Sequence, residues 1–215
     1  IADIARNRKS ASTAVDKVPR REERGDAGAW LSWTVEPDVR GEDRVIVPFS
    51  VMDFLDRAAA VYRDRLGVVD EPHQPASSMG ELTYGELGAK AAAMAAHLDR
   101  LGIEVGERVA FVSHNSARLL AAFCGVSGYG RVLVPVNFRL SAREVGYIVE
   151  HSGARVLYVD PELEHDLADV ECEHKFLIGQ DEDLFIDGIA PRAWEPDENA
   201  TATINYTSGT TARPK

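Results

Sequence analysis

Five of the six residues from Tyr206 to Thr211 carry a hydroxyl group, and the sixth is Gly209. Thr207, Ser208, Thr210 and Thr211 each offer a donor on a short side chain, and Gly209 lets main-chain N–H groups come close to a ligand. Lys215 follows with a mobile positive charge of the kind that meets phosphate oxygens. Together these groups could cradle phosphate. The arrangement is not the Walker pattern, since no G-x-x-x-x-G-K-[ST] occurs anywhere in the chain. On composition alone, a plain Ser/Thr-rich surface loop stands level with a phosphate cradle.

The other chemically suggestive residues are weaker. The glycines of GVSGYG, residues 125–130, are not ordered as a dinucleotide fingerprint. They also follow a helix and precede a strand, the reverse of what phosphate binding there needs, so the stretch reads as a turn. Cys172 and His174, with His165 nearby, lack a zinc-type spacing. Cys124 lies on an apolar helix and reads as a small buried hydrophobe. His114 follows a strand and can face a ligand, although a lone histidine there reads first as structural.

The hydroxyl-rich stretch needs elements to hold it, and the sequence predicts them. Ser50 and Asp53 are spaced to cap a helix whose apolar face holds Val51, Phe54, Leu55, Ala58, Val61, Tyr62 and Leu66, with Gly67 as its stop. Thr83 and Glu86 form a capping box for a second helix, on which Leu87, Ala91, Met94, Leu98 and Leu101 recur at helical spacing until Gly102. Strands are expected at 108–113, 131–136, 155–160 and 175–179, rich in β-branched residues. Helices are expected between them at 117–128, from the Ser141/Glu144 cap to Gly153, and over 161–170. Strand and helix alternating at this spacing predict an α/β fold with a mostly parallel sheet and right-handed crossovers. A last strand, ATATINY, would deliver the hydroxyl-rich loop to the carboxyl edge of that sheet, where open α/β folds bind ligands.

Residues 1–45 read as a polar lead segment, flexible or partly docked, in which Trp30 and Trp33 need a surface to pack on. Residues 46–215 read as the alternating domain. The formal net charge of −11 argues against a general nucleic-acid binder and against an anionic-membrane patch. It does not exclude an anionic ligand, because local N–H groups bind phosphate whatever the net charge. No apolar run reaches the length of a membrane span, and the N-terminus has no signal core. Only two cysteines occur, which fits a reducing, cytoplasmic setting. The chain begins at Ile1 and ends inside the loop, so a longer gene product is expected.

The stretch YTSGTTARPK, residues 206–215, resembles the phosphate-loop signature of the adenylate-forming superfamily, which usually reads Tyr-Thr-Ser-Gly-Thr-Thr-Gly-x-Pro-Lys. Only Ala212 departs from it. LTYGEL at 82–87 resembles the family's first motif, and residues 128–160 resemble its second motif and the region after that motif. The resemblance runs from about Val45 to Lys215 in the family's order. Asn137, Arg139 and Leu140 after VPV are similar to acyl-CoA synthetases more than to peptide-synthetase domains.

The resemblance implies the first part of the large N-terminal domain of a two-step ligase. ATP and a carboxylic acid, fatty or aryl, would give an acyl-adenylate, and coenzyme A would then take the acyl group as a thioester. Thr207, Ser208, Gly209, Thr210 and Thr211 would bind phosphate oxygens, and Lys215 would act on the departing pyrophosphate. Mg2+ is implied, with its protein ligand expected outside this chain, and the 215-residue chain alone is expected to be inactive. Two alternatives stay open: an adenylation domain that loads a carrier-protein thiol, and a truncated nucleotide-binding fragment without catalysis. If residue 212 needs a positive φ, Ala212 costs about 1 kcal/mol relative to glycine.

Overall fold

The computed structural model of the protein describes residues 34–37, 43–46, 48–179 and 184–207. Its first elements are an antiparallel pair, β1 (Thr34–Pro37) and β2 (Asp43–Ile46), which begins in the lead segment expected to be flexible or partly docked and ends just past it. Trp30 and Trp33 lie outside the described residues.

Helix α1 spans Met52–Val61. It starts one residue later than the expected Ser50 cap implies, and Ser50 supplies no side-chain cap; instead the Asp53 carboxylate takes the Ser50 N–H. It also stops well short of Gly67. That glycine lies inside strand β3 (Leu66–Val69), which pairs antiparallel with β4 (Glu81–Thr83). The reason is a close approach: a Cβ on Gly67 would stand 2.9 Å from the Tyr84 ring. The predicted apolar face of α1 is therefore mostly uncovered. Leu55 is buried together with Met52, whereas Phe54, Val61, Tyr62 and Leu66 are exposed.

The next helix forms as its local signals demand. Helix α2, Tyr84–Arg100, opens on the capping box: Thr83 Oγ1 accepts from the Glu86 N–H at 3.2 Å, and Glu86 Oε2 accepts from the Thr83 N–H at 2.8 Å. Leu87, Ala91, Met94 and Leu98 are buried on one face, as their spacing predicts.

From there the chain alternates. Strand β5 (Arg108–Val112) leads to α3 (Ala117–Ala122), which loosens into a π-helical turn at Phe123–Ser127. Gly125 belongs to that turn because a Cβ there would meet the Ala91 carbonyl of α2 at 2.7 Å. Strand β6 (Val132–Val136), α4 (Ala142–Ser152), β7 (Ala154–Val159) and β8 (His174–Leu177) complete a parallel sheet ordered β6-β5-β7-β8. This is the α/β architecture that the alternation predicts.

Side chains alternate between the two faces of the sheet. Val109, Phe111, Leu133, Val156 and Tyr158 join α2 and α3 in one core. Ala110, Val112, Val134, Leu157 and Val159 join Val145, Ile148 and Val149 of α4 in the other.

Two expected elements are replaced. Residues 161–170 hold only a 3₁₀ turn at Pro161–Leu163, followed by turns. Glu162 and Asp166 would repel one another on a helix face. Lys175 Nζ also gathers the carbonyls of Leu167, Ala168 and Val170, at 2.5, 3.1 and 3.1 Å, into a knot that no α-helix presents. The expected last strand is a single parallel bridge between Thr203 and Leu133 on the outer edge of β6. Leu133 donates to the Ala202 carbonyl and accepts from the Ile204 N–H. The next donor on that edge would belong to residue 135, which is a proline without an N–H, so the ladder stops.

Candidate nucleotide-binding cleft

The carboxyl edge of the sheet is open where β5 and β6 lie side by side. The helix after β5 packs on one face and the helix after β6 on the other, so the two connections part and leave a crevice. A cleft of about 720 Å³ fills it, lined by Ser113, His114 and Asn115 after β5, by Asn137, Phe138 and Arg139 after β6, and by Glu162 and Asn205.

The chemistry of the walls is specific. The His114 ring lies over Phe138, centroids 3.8 Å apart, and its Nε2 is 2.9 Å from Glu162 Oε2. The Arg139 guanidinium sits 4.5 Å from the other partner of that stack, the Phe138 ring centroid. Asn137 Oδ1 accepts from the Arg139 N–H at 3.0 Å, which shapes the turn that carries both residues.

Asp70 braces the facing wall, residues 71–75. Its buried carboxylate accepts from the Ala117 N–H, the Met79 N–H and Gln74 Nε2, each at 2.8 Å. Burial pushes its pKa up, but the Met79, Ala117 and Gln74 hydrogen bonds outweigh that and hold it below the usual carboxylate range. Nothing in the sequence marks Asp70, because its partner Ala117 lies 47 positions away.

The segment that leads to the hydroxyl-rich run reaches this cleft along β6. Asn205 lines it, with Nδ2 donating to Thr203 Oγ1 at 3.2 Å. Tyr206 is half-buried against the second core, and its hydroxyl lies 2.7 Å from His151 Nδ1. Thr207 is exposed. Ser208, Gly209, Thr210, Thr211, Ala212 and Lys215 lie outside the described residues. His114, read first as structural, proves to line the cleft; its partner Glu162 lies 48 positions on, beyond any local pattern.

The cysteines stand apart from this edge. Burial, and then the charge of Asp56, pushes the Cys124 thiol up to about 11, far from a reactive thiolate. Among the described residues no three His, Cys, Asp or Glu side chains gather as a metal cluster. Among them, too, no helix is long and apolar enough to cross a membrane.

Comparison with known proteins fits this geometry. The profile of the family described as AMP-binding enzyme matches residues 55–215. The chain is 35% identical over 180 residues to the long-chain-fatty-acid–CoA ligase of Thermus thermophilus, covering 77% of this chain and 32% of that protein. It is 34% identical over 164 residues to the 3-hydroxybenzoate–CoA ligase of Aromatoleum sp., covering 69% and 31%. It thus spans about a third of the length of these curated relatives. Among solved structures, the inhibitor-bound N-terminal domain of FACL13 from Mycobacterium tuberculosis is similar at 32% identity and a TM-score of 0.66, covering 77% of this chain and 43% of that one.

Proposed function

This chain belongs to the family of AMP-binding enzymes, and from that premise we propose that the protein activates a carboxylic acid, fatty or aryl, as an acyl-adenylate and passes the acyl group to coenzyme A. The observation that carries the proposal is the delivery of the polar run at Asn205–Thr207 to the open carboxyl edge of a parallel sheet, beside the cleft between β5 and β6. Residues 46–215 are taken as the N-terminal part of the AMP-binding domain, and residues 1–45 as a lead segment before it.

In the first step a carboxylate oxygen attacks the α-phosphorus of ATP, the bond to the β-phosphate breaks, and pyrophosphate leaves. Thr207, Ser208, Gly209, Thr210 and Thr211 would hold phosphate oxygens through hydroxyl and main-chain N–H donors. Lys215 would stabilise charge growing on the leaving pyrophosphate, an effect strongest in a preorganised site. In the second step the coenzyme A sulfur attacks the acyl carbon, the bond to AMP breaks, and the thiol proton is lost to solvent. Magnesium would neutralise phosphate charge. The described residues offer it no cluster.

The names of the curated relatives support coenzyme A over a carrier-protein thiol as acceptor. Their acids differ, one long-chain and one aromatic, so they support a carboxylic acid as substrate without narrowing its type. The test uses the product of the whole reading frame with ATP, magnesium, coenzyme A and a panel of fatty and aryl acids. The expected result is acid-dependent release of AMP and pyrophosphate with formation of a thioester. Adenylation of amino acids alone, with coenzyme A ignored, would favour the carrier-loading alternative. Failure to bind ATP would leave a non-catalytic protein.

A further inference from the structure

Tyr206 stands where the polar run leaves the sheet. Upstream of it, the run is held by the bridge of Thr203 to Leu133 and by Ser127 Oγ, which donates to the Ala202 carbonyl at 2.8 Å. Beyond Ile204 that support ends: among the described residues no main-chain hydrogen bond holds Asn205, Tyr206 or Thr207. The next tie is a side-chain one. The Tyr206 hydroxyl lies 2.7 Å from Nδ1 of His151, and the two rings meet edge-on at 80°.

His151 is well placed to serve as a fixed point. It sits in the last turn of α4 and stacks on Tyr147, one turn earlier on the same face, with centroids 5.3 Å apart and planes 25° from parallel. The helix beneath them is anchored by Val145, Ile148 and Val149 in the second core, against which the Tyr206 ring also packs.

We propose that His151 is a positioning residue: through Tyr206 it sets the direction in which the hydroxyl-rich loop leaves the sheet at Thr207. The inference rests on the proposed role of that loop in holding ATP phosphates. One hydrogen bond joins the phenol oxygen to Nδ1, its direction set by the imidazole tautomer. An exposed contact of this kind adds little to global stability, but the first residue of the loop is its neighbour in sequence, so small rotations of Tyr206 move Thr207 directly.

The experiment compares His151→Ala, Tyr206→Phe, the double variant and His151→Asn, whose amide can occupy the position of Nδ1. Exchange of the Ile204 amide, which donates to the Leu133 carbonyl next to this tie, should quicken about fivefold in both single variants, the value of one modest hydrogen bond. The double variant should be no faster than either single one, and His151→Asn should return toward wild type. The KM for ATP should rise by a similar factor, with kcat within about twofold, because loop placement serves ground state and transition state alike. Unchanged exchange, additive effects in the double variant, or faster exchange with no change in KM would overturn the proposal. A wild-type protein that binds no ATP would instead sink the proposed function, while exchange alone would still decide whether His151 holds Tyr206.

Discussion

The two edges of the parallel sheet use similar residues to opposite ends. At the amino edge, three strands are led by arginines whose donors are committed to the fold. Arg108 donates to the carbonyls of Ser152 and Gly153 at 2.7 and 2.9 Å. Arg131, buried, donates from Nε to the Ile103 carbonyl at 2.9 Å and pairs with Asp99. Arg155 ties Glu107 to Glu173, both at 2.6 Å. At the carboxyl edge, Arg139 is exposed, lies on the Phe138 ring and has no ion pair among the described residues. A guanidinium with its donors filled joins strands together, whereas one facing water beside a cleft can still meet a ligand. The amino edge is thus built for stability, and the carboxyl edge keeps polar groups available.

The sharpest way to break that contrast is Arg131→Ala. It removes a partner from Asp99 in a largely buried site and strips donors from the Ile103 carbonyl. The expected cost is about 3–5 kcal/mol in urea unfolding, with ATP affinity of the folded protein unchanged. A loss of less than about 1 kcal/mol would mean that the amino edge does not hold the sheet.

Lys215→Ala tests the opposite edge. In the product of the whole reading frame it should slow adenylate formation by roughly 10²–10³ while leaving the unfolding midpoint almost unmoved. Thioester formation from a supplied acyl-adenylate should suffer much less, since no pyrophosphate leaves in that step. Equal slowing of both half-reactions would assign Lys215 to loop shape.

Acid should separate the edges more gently. Burial works to raise the Asp99 and Glu107 pKa values, but hydrogen bonds prevail: from Arg192 and Arg131 onto Asp99, and from Glu104 and Arg155 onto Glu107. Both carboxylates are held low in the folded state. Their contribution is therefore present above the unfolded value, about 4, and is lost as pH falls through the lower folded value. Unfolding midpoints should be level from about pH 5 to 8 and drop below about 4, less steeply in Arg131→Ala, where Asp99 has lost one cause of its shift. An equal slope in both proteins would remove Asp99 from the account.

The smallest effect belongs to Glu173→Gln. Its pair with Arg155 is solvent-exposed, so the variant should lose only a little stability at low salt and nothing at about 1 M salt, where the Debye length shrinks to about 3 Å. A loss that persists in high salt would point to packing of the side chain.

Much of the frame was legible in the sequence, because its signals are local. The boxes Thr83/Glu86 and Ser141/Glu144 act over three residues and start α2 and α4 where expected. The β-branched runs become β5–β8 within about two residues, and their spacing dictates a parallel sheet, with helices after β5 and β6 as expected but only a 3₁₀ turn after β7. The hydroxyls around Gly209 are the sequence's reason to expect phosphate, and the fold brings Asn205–Thr207, where that run begins, to the open carboxyl edge of the sheet.

Contacts between distant residues decided the rest. Gly67 resembles a helix stop, but the Tyr84 ring lying over it turns its stretch into a strand. The last strand has good residues for one, yet it pairs only at Thr203 because its neighbour on β6 offers Pro135 at the next bonding position. Asp70 with Ala117, His114 with Glu162 and His151 with Tyr206 are 47, 48 and 55 positions apart. A hydrogen bond depends on distance in space, and only the packing of the two cores on the sheet brings these pairs within reach.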